Sequence, residues 1–166
     1  MTPENIKISE DFEGAAIPAG WRVDDGGAMR LSPRHYKDGK QSLQWTWTHG
    51  SRLIREGLSI STAQHPQAGM SGWVYCEKPV DGRLTFRLGT KAQLAAGTAA
   101  YQFRFGLNFT GWRMFQIQFE VDARTPTPGD RVEMLEIAPS DAVPAGCLYL
   151  DAFTLLPAMA GDRSAD

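Results

Sequence analysis

The stretch WVYCEKPVDGRLTFRLG, Trp73 to Gly89, decides how the chain folds. In its second half Leu84, Phe86 and Leu88 alternate with Thr85 and Arg87, the period-two pattern of a half-buried strand. The first half alternates too. Val74 is the natural core residue there, which turns Trp73, Tyr75 and Glu77 outward. A β-bulge would reverse that phase, burying both aromatics and exposing Val74 and Cys76. Between the halves, PVDG (Pro79 to Gly82) reads as a hairpin turn. A hairpin sets its two strands side by side in one sheet.

The same period runs through the rest of the chain. LQWTWT places Leu43, Trp45 and Trp47 on one face. The pair Trp45 and Trp47 therefore reads as core rather than as an exposed aromatic platform, and each buried indole N–H needs a partner. YQFRFGLNF, RMFQIQFEV and CLYLDAFTLL supply further strands. FTGW (Phe109 to Trp112) and RTPTPGD (Arg124 to Asp130) read as turn and loop. Only TKAQLAAGTAA (Thr90 to Ala100) has helical character, weakened by Gly97. About eight short strands with regular turns imply an all-β sandwich of two antiparallel sheets. One domain over residues 1–157 and a tail over 158–166 are expected.

With 166 residues, 42% of them hydrophobic and 22% charged, the chain suits one globular domain. A net charge of −2 argues against a general nucleic-acid binder. No apolar run approaches the ~18 residues that cross a membrane, and the first residues lack signal-peptide architecture. Cys76 and Cys147 pair only if the fold brings them together; two free thiols are an equal reading. There is no CxxC or HExxH motif, nucleophile elbow or phosphate loop. His35 stands beside Tyr36, a residue pair that can abstract protons, but adjacent side chains usually diverge. The chain is therefore expected to be non-catalytic.

GKQSLQWTW, WVYCEKPVDGRLTFRLG, LNFTGWR and LYLDAFTL occur in an order and spacing that resemble the N-terminal domain of the chondroitin ABC lyases and related family 8 polysaccharide lyases. The resemblance covers roughly residues 7–157. It implies a jelly-roll β-sandwich of the carbohydrate-binding-module type, placed before the catalytic domains of a bacterial, secreted or periplasmic lyase. The implied partners are those domains and a glycosaminoglycan: chondroitin sulfate, dermatan sulfate or hyaluronan. Neither nucleic acid nor membrane is implied, and the module is expected to be a monomer. A structural domain that packs on the lyase without touching sugar is the second reading. The resemblance also implies one structural cation, calcium in modules of this kind. Glu13 and Asp151 would supply side-chain oxygens, and Asp11, Gln41 and Gln44 backbone carbonyls. The other reading makes Glu13 and Asp151 ordinary polar residues at strand ends.

Acidic polysaccharide needs aromatic faces for the sugar rings, arginine for carboxylate and sulfate, and amides for hydroxyls. If the alternating strands share one sheet, its outer face carries Trp73, Tyr75, Arg87, Gln102, Arg104, Gln116 and Gln118. A site built from loops at the sandwich edge is the alternative. Arg52 and Arg55 read as solvated charges, with a second basic patch as the alternative.

Overall fold

The computed structural model describes residues 8–24, 26–48, 51–141, 143 and 145–157. The expected tail over 158–166 lies outside these residues. The strands are β1 (Ile8–Glu10), β2 (Trp21–Val23), β3 (Gly27–Ser32), β4 (Ser42–Trp47), β5 (Leu53–Arg55), β6 (Ile60–Ser61) and β7 (Gly69–Cys76). They continue as β8 (Arg83–Gly89), β9 (Tyr101–Gly106), β10 (Gly111–Gln118), β11 (Arg131–Val132), β12 (Met134–Pro139) and β13 (Gly146–Leu156). A short helix α1 (Lys91–Ala95) and a π-helical turn (Phe119–Ala123) interrupt them. Thr90 caps α1, its hydroxyl accepting from Gln93 N–H while the Gln93 side chain accepts from Thr90 N–H.

Two antiparallel sheets form the sandwich, as the strand pattern implied. One has the order β10-β7-β13-β4-β3, with β1 also pairing to β13; the other has the order β2-β5-β12-β8-β9. Inward residues of both fill one core, including Leu43, Trp45, Val74, Leu84, Phe86, Leu135 and Phe153. Trp45 is 0% exposed and Trp47 is 4% exposed, so the aromatic pair is core. Trp47 Nε1 donates to the Val143 carbonyl at 3.1 Å, whereas Trp45 Nε1 has no partner among the described residues. Val74 is buried between half-buried Trp73 and Tyr75, which settles the phase of β7 without a bulge there. A bulge occurs instead in β13, between Asp151 and Thr154, where Ala152 takes a positive φ of 49°.

The hairpin reading of PVDG is overturned. β7 and β8 lie in different sheets, so this connection crosses the sandwich. Tight hairpins use a residue at positive φ, and none of residues 77–82 adopts one. Beside one local bond from Gly82 N–H to the Val80 carbonyl at 2.9 Å, their backbone reaches another connection: Val80 N–H donates to the Leu107 carbonyl at 3.0 Å, and Leu107 N–H donates to the Gly82 carbonyl at 2.9 Å. Leu107 belongs to the return crossover from β9 to β10. Two crossovers thus run together and satisfy each other's backbone groups.

Arg55 is not a solvated charge. It is 8% exposed, and its Nε donates to Glu10 Oε1 at 2.8 Å; the Trp21 indole donates to the same oxygen at 3.0 Å. Arg52 bonds Asp24 and Glu136, each at 2.5 Å. Cys76 and Cys147 are free. Cys76 shares the inward phase of Val74, whereas Cys147 lies opposite outward-facing Thr46.

Candidate carbohydrate-binding faces

Because β7 and β8 part company, the seven residues expected on one face divide between two. Arg87, Gln102 and Arg104 stand on β8 and β9 of the five-stranded sheet. Trp73, Tyr75, Gln116 and Gln118 stand on β7 and β10 of the other. Outer faces of a sandwich point away from each other, so the two groups cannot grip one sugar ring together.

On the five-stranded sheet, Leu84, Phe86 and Leu88 turn inward and Arg83, Thr85 and Arg87 outward. Antiparallel register sets Arg83 opposite Gly106, Thr85 opposite Arg104, and Arg87 opposite Gln102. Arg87 Nε donates to Gln102 Oε1 at 3.2 Å. The acid beside Arg87 in register is Glu136, whose carboxylate is already held by Arg52. Among the described residues, none of Arg83, Arg87 and Arg104 forms an ion pair. At one end of this face Leu94 of α1 and Ala99 of the segment after it cover Ile54 and Met134. At the other end lies a groove of about 530 Å³, lined by Asp81, Gly82, Arg83, Arg104, Gly106 and Ser140. Small residues line the groove beside two guanidinium groups. Space above Gly106 is open: a Cβ there would meet nothing within 4 Å. Arg83 and Gly106 escaped the sequence reading, although both share the outward phase of Arg87 and Arg104.

The six-stranded sheet presents Trp112, Tyr75, Tyr149, Gln44 and Arg30 in one cross-strand row. The segment between β3 and β4 crosses part of this face as a strap. His35 stacks on Tyr75 with centroids 3.9 Å apart and meets Tyr149 edge-on at 4.7 Å. Lys37 Nζ sits 4.3 Å from the centroid of Trp73. The two expected stacking aromatics therefore have other side chains against their rings. Gln118 Nε2 donates to the Pro66 carbonyl at 3.4 Å, and Gln116 is exposed.

The strap is tied down electrostatically. Glu77 accepts from Arg34 at 2.9 Å and pairs with His35 Nε2 at 3.0 Å. The hydrogen bond to His35 is the main reason its carboxyl titrates below the ordinary value. Asp151, 1% exposed, accepts from the N–H groups of Lys37, Asp38 and Ala152 at 2.8, 3.1 and 2.8 Å. Burial raises its pKa, and those three donors offset part of the rise. Burial likewise pushes the Tyr149 phenol up to about 12.

The two carboxylates expected around a cation are bonded within the protein. Glu13 accepts from the N–H groups of Lys40 and Gln41 at 2.8 and 3.2 Å. The Gln41 amide donates to the carbonyls of Phe12 and Gly14, both at 2.7 Å. Asp11 Oδ1 accepts from Glu13 N–H at 3.1 Å. Gln44 lies inside β4 between two paired strands, with its side chain on Arg30. The carboxylates of Glu13 and Asp151 thus both accept from backbone N–H groups, and among the described residues no cluster of three or more His, Cys, Asp or Glu could hold a metal.

Comparison with known proteins gives the family. The chain is 33% identical over 129 residues to a chondroitin sulfate ABC exolyase of Bacteroides thetaiotaomicron, covering 74% of this chain and 12% of that protein. It is 30% identical over 131 residues to the chondroitin sulfate ABC endolyase of Proteus vulgaris, covering 72% of this chain and 13% of that protein. The chain thus spans about an eighth of the length of these relatives. Among solved structures, the CBM22-1 xylan-binding domain of Paenibacillus barcinonensis Xyn10C superimposes with a TM-score of 0.57 at 20% identity, over 90% of this chain and 92% of that one. The family 11 carbohydrate-binding module of Clostridium thermocellum gives 0.60 at 12% identity, over 92% and 96%. These likenesses establish a shared β-sandwich fold. The family described as "Lyase, N terminal" matches residues 7–166, and the chain belongs to it.

Proposed function

We propose that this chain is the accessory module of a secreted or periplasmic polysaccharide lyase, binding acidic polysaccharide of the glycosaminoglycan class on the outer face of its five-stranded sheet. The observation behind this reading is the set of guanidinium groups on Arg83, Arg87 and Arg104, which form no ion pair among the described residues; Arg83 and Arg104 line the groove together with Asp81 and three small residues, and Arg87 stands further along the same face. Such groups meet carboxylate and sulfate with paired N–H donors. The relatives named as chondroitin sulfate lyases and the carbohydrate-binding modules among the fold neighbours support the ligand class. The module performs no chemistry in this reading. It holds polymer near the catalytic domains and raises local substrate concentration.

The test is calorimetric titration with chondroitin sulfate and hyaluronan oligosaccharides, with an uncharged glucan as control. Saturable heat from the acidic sugars alone is expected, weakening as salt rises. Arg104→Ala should weaken binding by about tenfold, the loss of one charge-assisted hydrogen bond. The second reading, a domain that only packs on the lyase, is favoured by two exposed apolar side chains, Met114 opposite Trp73 and Tyr36 in the β3–β4 segment, 45% and 48% exposed. Silence with every acidic sugar from a folded sample would select it.

A further inference from the structure

The six-stranded sheet has a trough of its own at the β3–β4 edge, away from the strap. One depression of about 270 Å³ is lined by Ala28, Met29, Arg30, Gln44 and Thr46. A second of about 310 Å³ shares Ala28 and Thr46 with it and extends along Gly26, Gly27 and Thr48. The trough exists because the outward positions at the start of this edge are small. β3 is also the last strand of the sheet, so nothing beyond it in the ladder covers them.

Its polar groups are placed and only partly used. Arg30 Nε donates to Gln44 Oε1 at 2.7 Å, which orients the guanidinium and leaves its Nη groups free of any acid among the described residues. Among the described residues Gln44 Nε2 has only the sulfur of Cys147, at 3.4 Å, and a thiol is a weak acceptor. The Thr46 hydroxyl reaches the Ala28 carbonyl at 3.5 Å, the outer limit of a hydrogen bond. An oriented cation, an amide and a hydroxyl on a floor of small residues match a polar ring bearing one negative group.

We infer that this trough is a second saccharide site, which takes one acidic sugar unit with its carboxylate or sulfate ester on Arg30 and its hydroxyls on Gln44 and Thr46. It shares a ligand class with the function proposed above and no residue with that groove. The two sites lie on opposite outer faces of the sandwich, so a single module engages two saccharide segments at once.

The test is backbone amide NMR on the whole chain, titrated with a sulfated chondroitin disaccharide and with cellobiose as uncharged control. Saturable shifts at Ala28, Arg30 and Thr46 are expected with the acidic sugar alone, beside a separate set at Arg104 and Gly106. Arg30→Gln should weaken the trough shifts by about tenfold and leave the groove midpoint unchanged. Gly106→Leu, which fills the groove from an open strand position, should do the reverse. Wild-type shifts confined to the groove would overturn the second site and leave the proposed function standing. Trough shifts that ignore Arg30→Gln, or that cellobiose reproduces, would overturn the assignment of an acidic unit to Arg30. No shift on either face would overturn both.

Discussion

Single residues in this protein are held by charge inside the fold more than composition suggests. Glu10, 7% exposed, neutralises Arg55 and accepts from the Trp21 indole. Removing one partner of a buried pair strands the other, so Glu10→Ala should cost about 3–5 kcal/mol in denaturant unfolding. Replacing Glu10 and Arg55 together by methionine should recover much of that loss. The two strap carboxylates respond to pH with opposite signs. Glu77 titrates below its ordinary value. Its stabilisation is complete above the unfolded carboxylate pKa and is lost as pH falls through the lowered folded value. Asp151 titrates above its ordinary value, so ionising it costs the folded state, and stability declines as pH rises through its folded pKa. Thermal melts from about pH 3 to 7 on Glu77→Gln should lack the acid-side loss contributed by Glu77. Identical curves for variant and parent would remove His35 and Arg34 as the cause of that shift.

At the scale of elements, β7 shows what packing adds to periodicity. Its alternation predicts which residues turn inward, and Val74, Met70 and Cys76 do so. Gly72 shares that phase, because Phe115 of the neighbouring strand occupies the space its side chain would need. A Cβ at Gly72 would lie 2.8 Å from the Phe115 ring. Gly72→Ala should therefore destabilise by about 1–3 kcal/mol, an overpacking cost measurable in urea. The connection after β7 is less legible. PVDG has the composition of a tight turn, yet its backbone bonds reach Leu107 in another crossover. Turn composition is local, whereas the partner that satisfies a loop's N–H groups is not.

For the whole molecule, the consequence of that crossover is a sandwich with two chemically different outer faces. One has arginines that form no ion pair among the described residues, and the other has aromatics under a strap with a small cationic trough beside it. Function on either face should therefore be separable by mutation. The same geometry fixes the thiols. Cys76 points into the core, where burial pushes its pKa up to about 11, and Cys147 lies outward and half-buried. A thiol reagent should label Cys147 alone in the native protein and both residues in denaturant, and reductant should leave Tm unchanged. Labelling of both at equal native rates would mean that the sheet around Cys76 opens readily.

The alternation of Leu84, Phe86 and Leu88 with Thr85 and Arg87, and of Leu43, Trp45 and Trp47 with their polar neighbours, was sufficient to establish a β-sandwich and most of its core. Strand phase is a local property, since successive side chains leave the backbone on opposite sides whatever the neighbours are. The outward direction of Arg87, Gln102 and Arg104 followed from the sequence for the same reason. Which strands share a sheet did not follow, because pairing depends on where each connection crosses the core. Only the tertiary structure separated the arginines from Trp73 and Tyr75 and laid His35 and Lys37 on those rings. It also left Arg30 without an acid partner among the described residues at the edge of the other sheet, because the strand that ends a sheet is set by the topology of the whole chain.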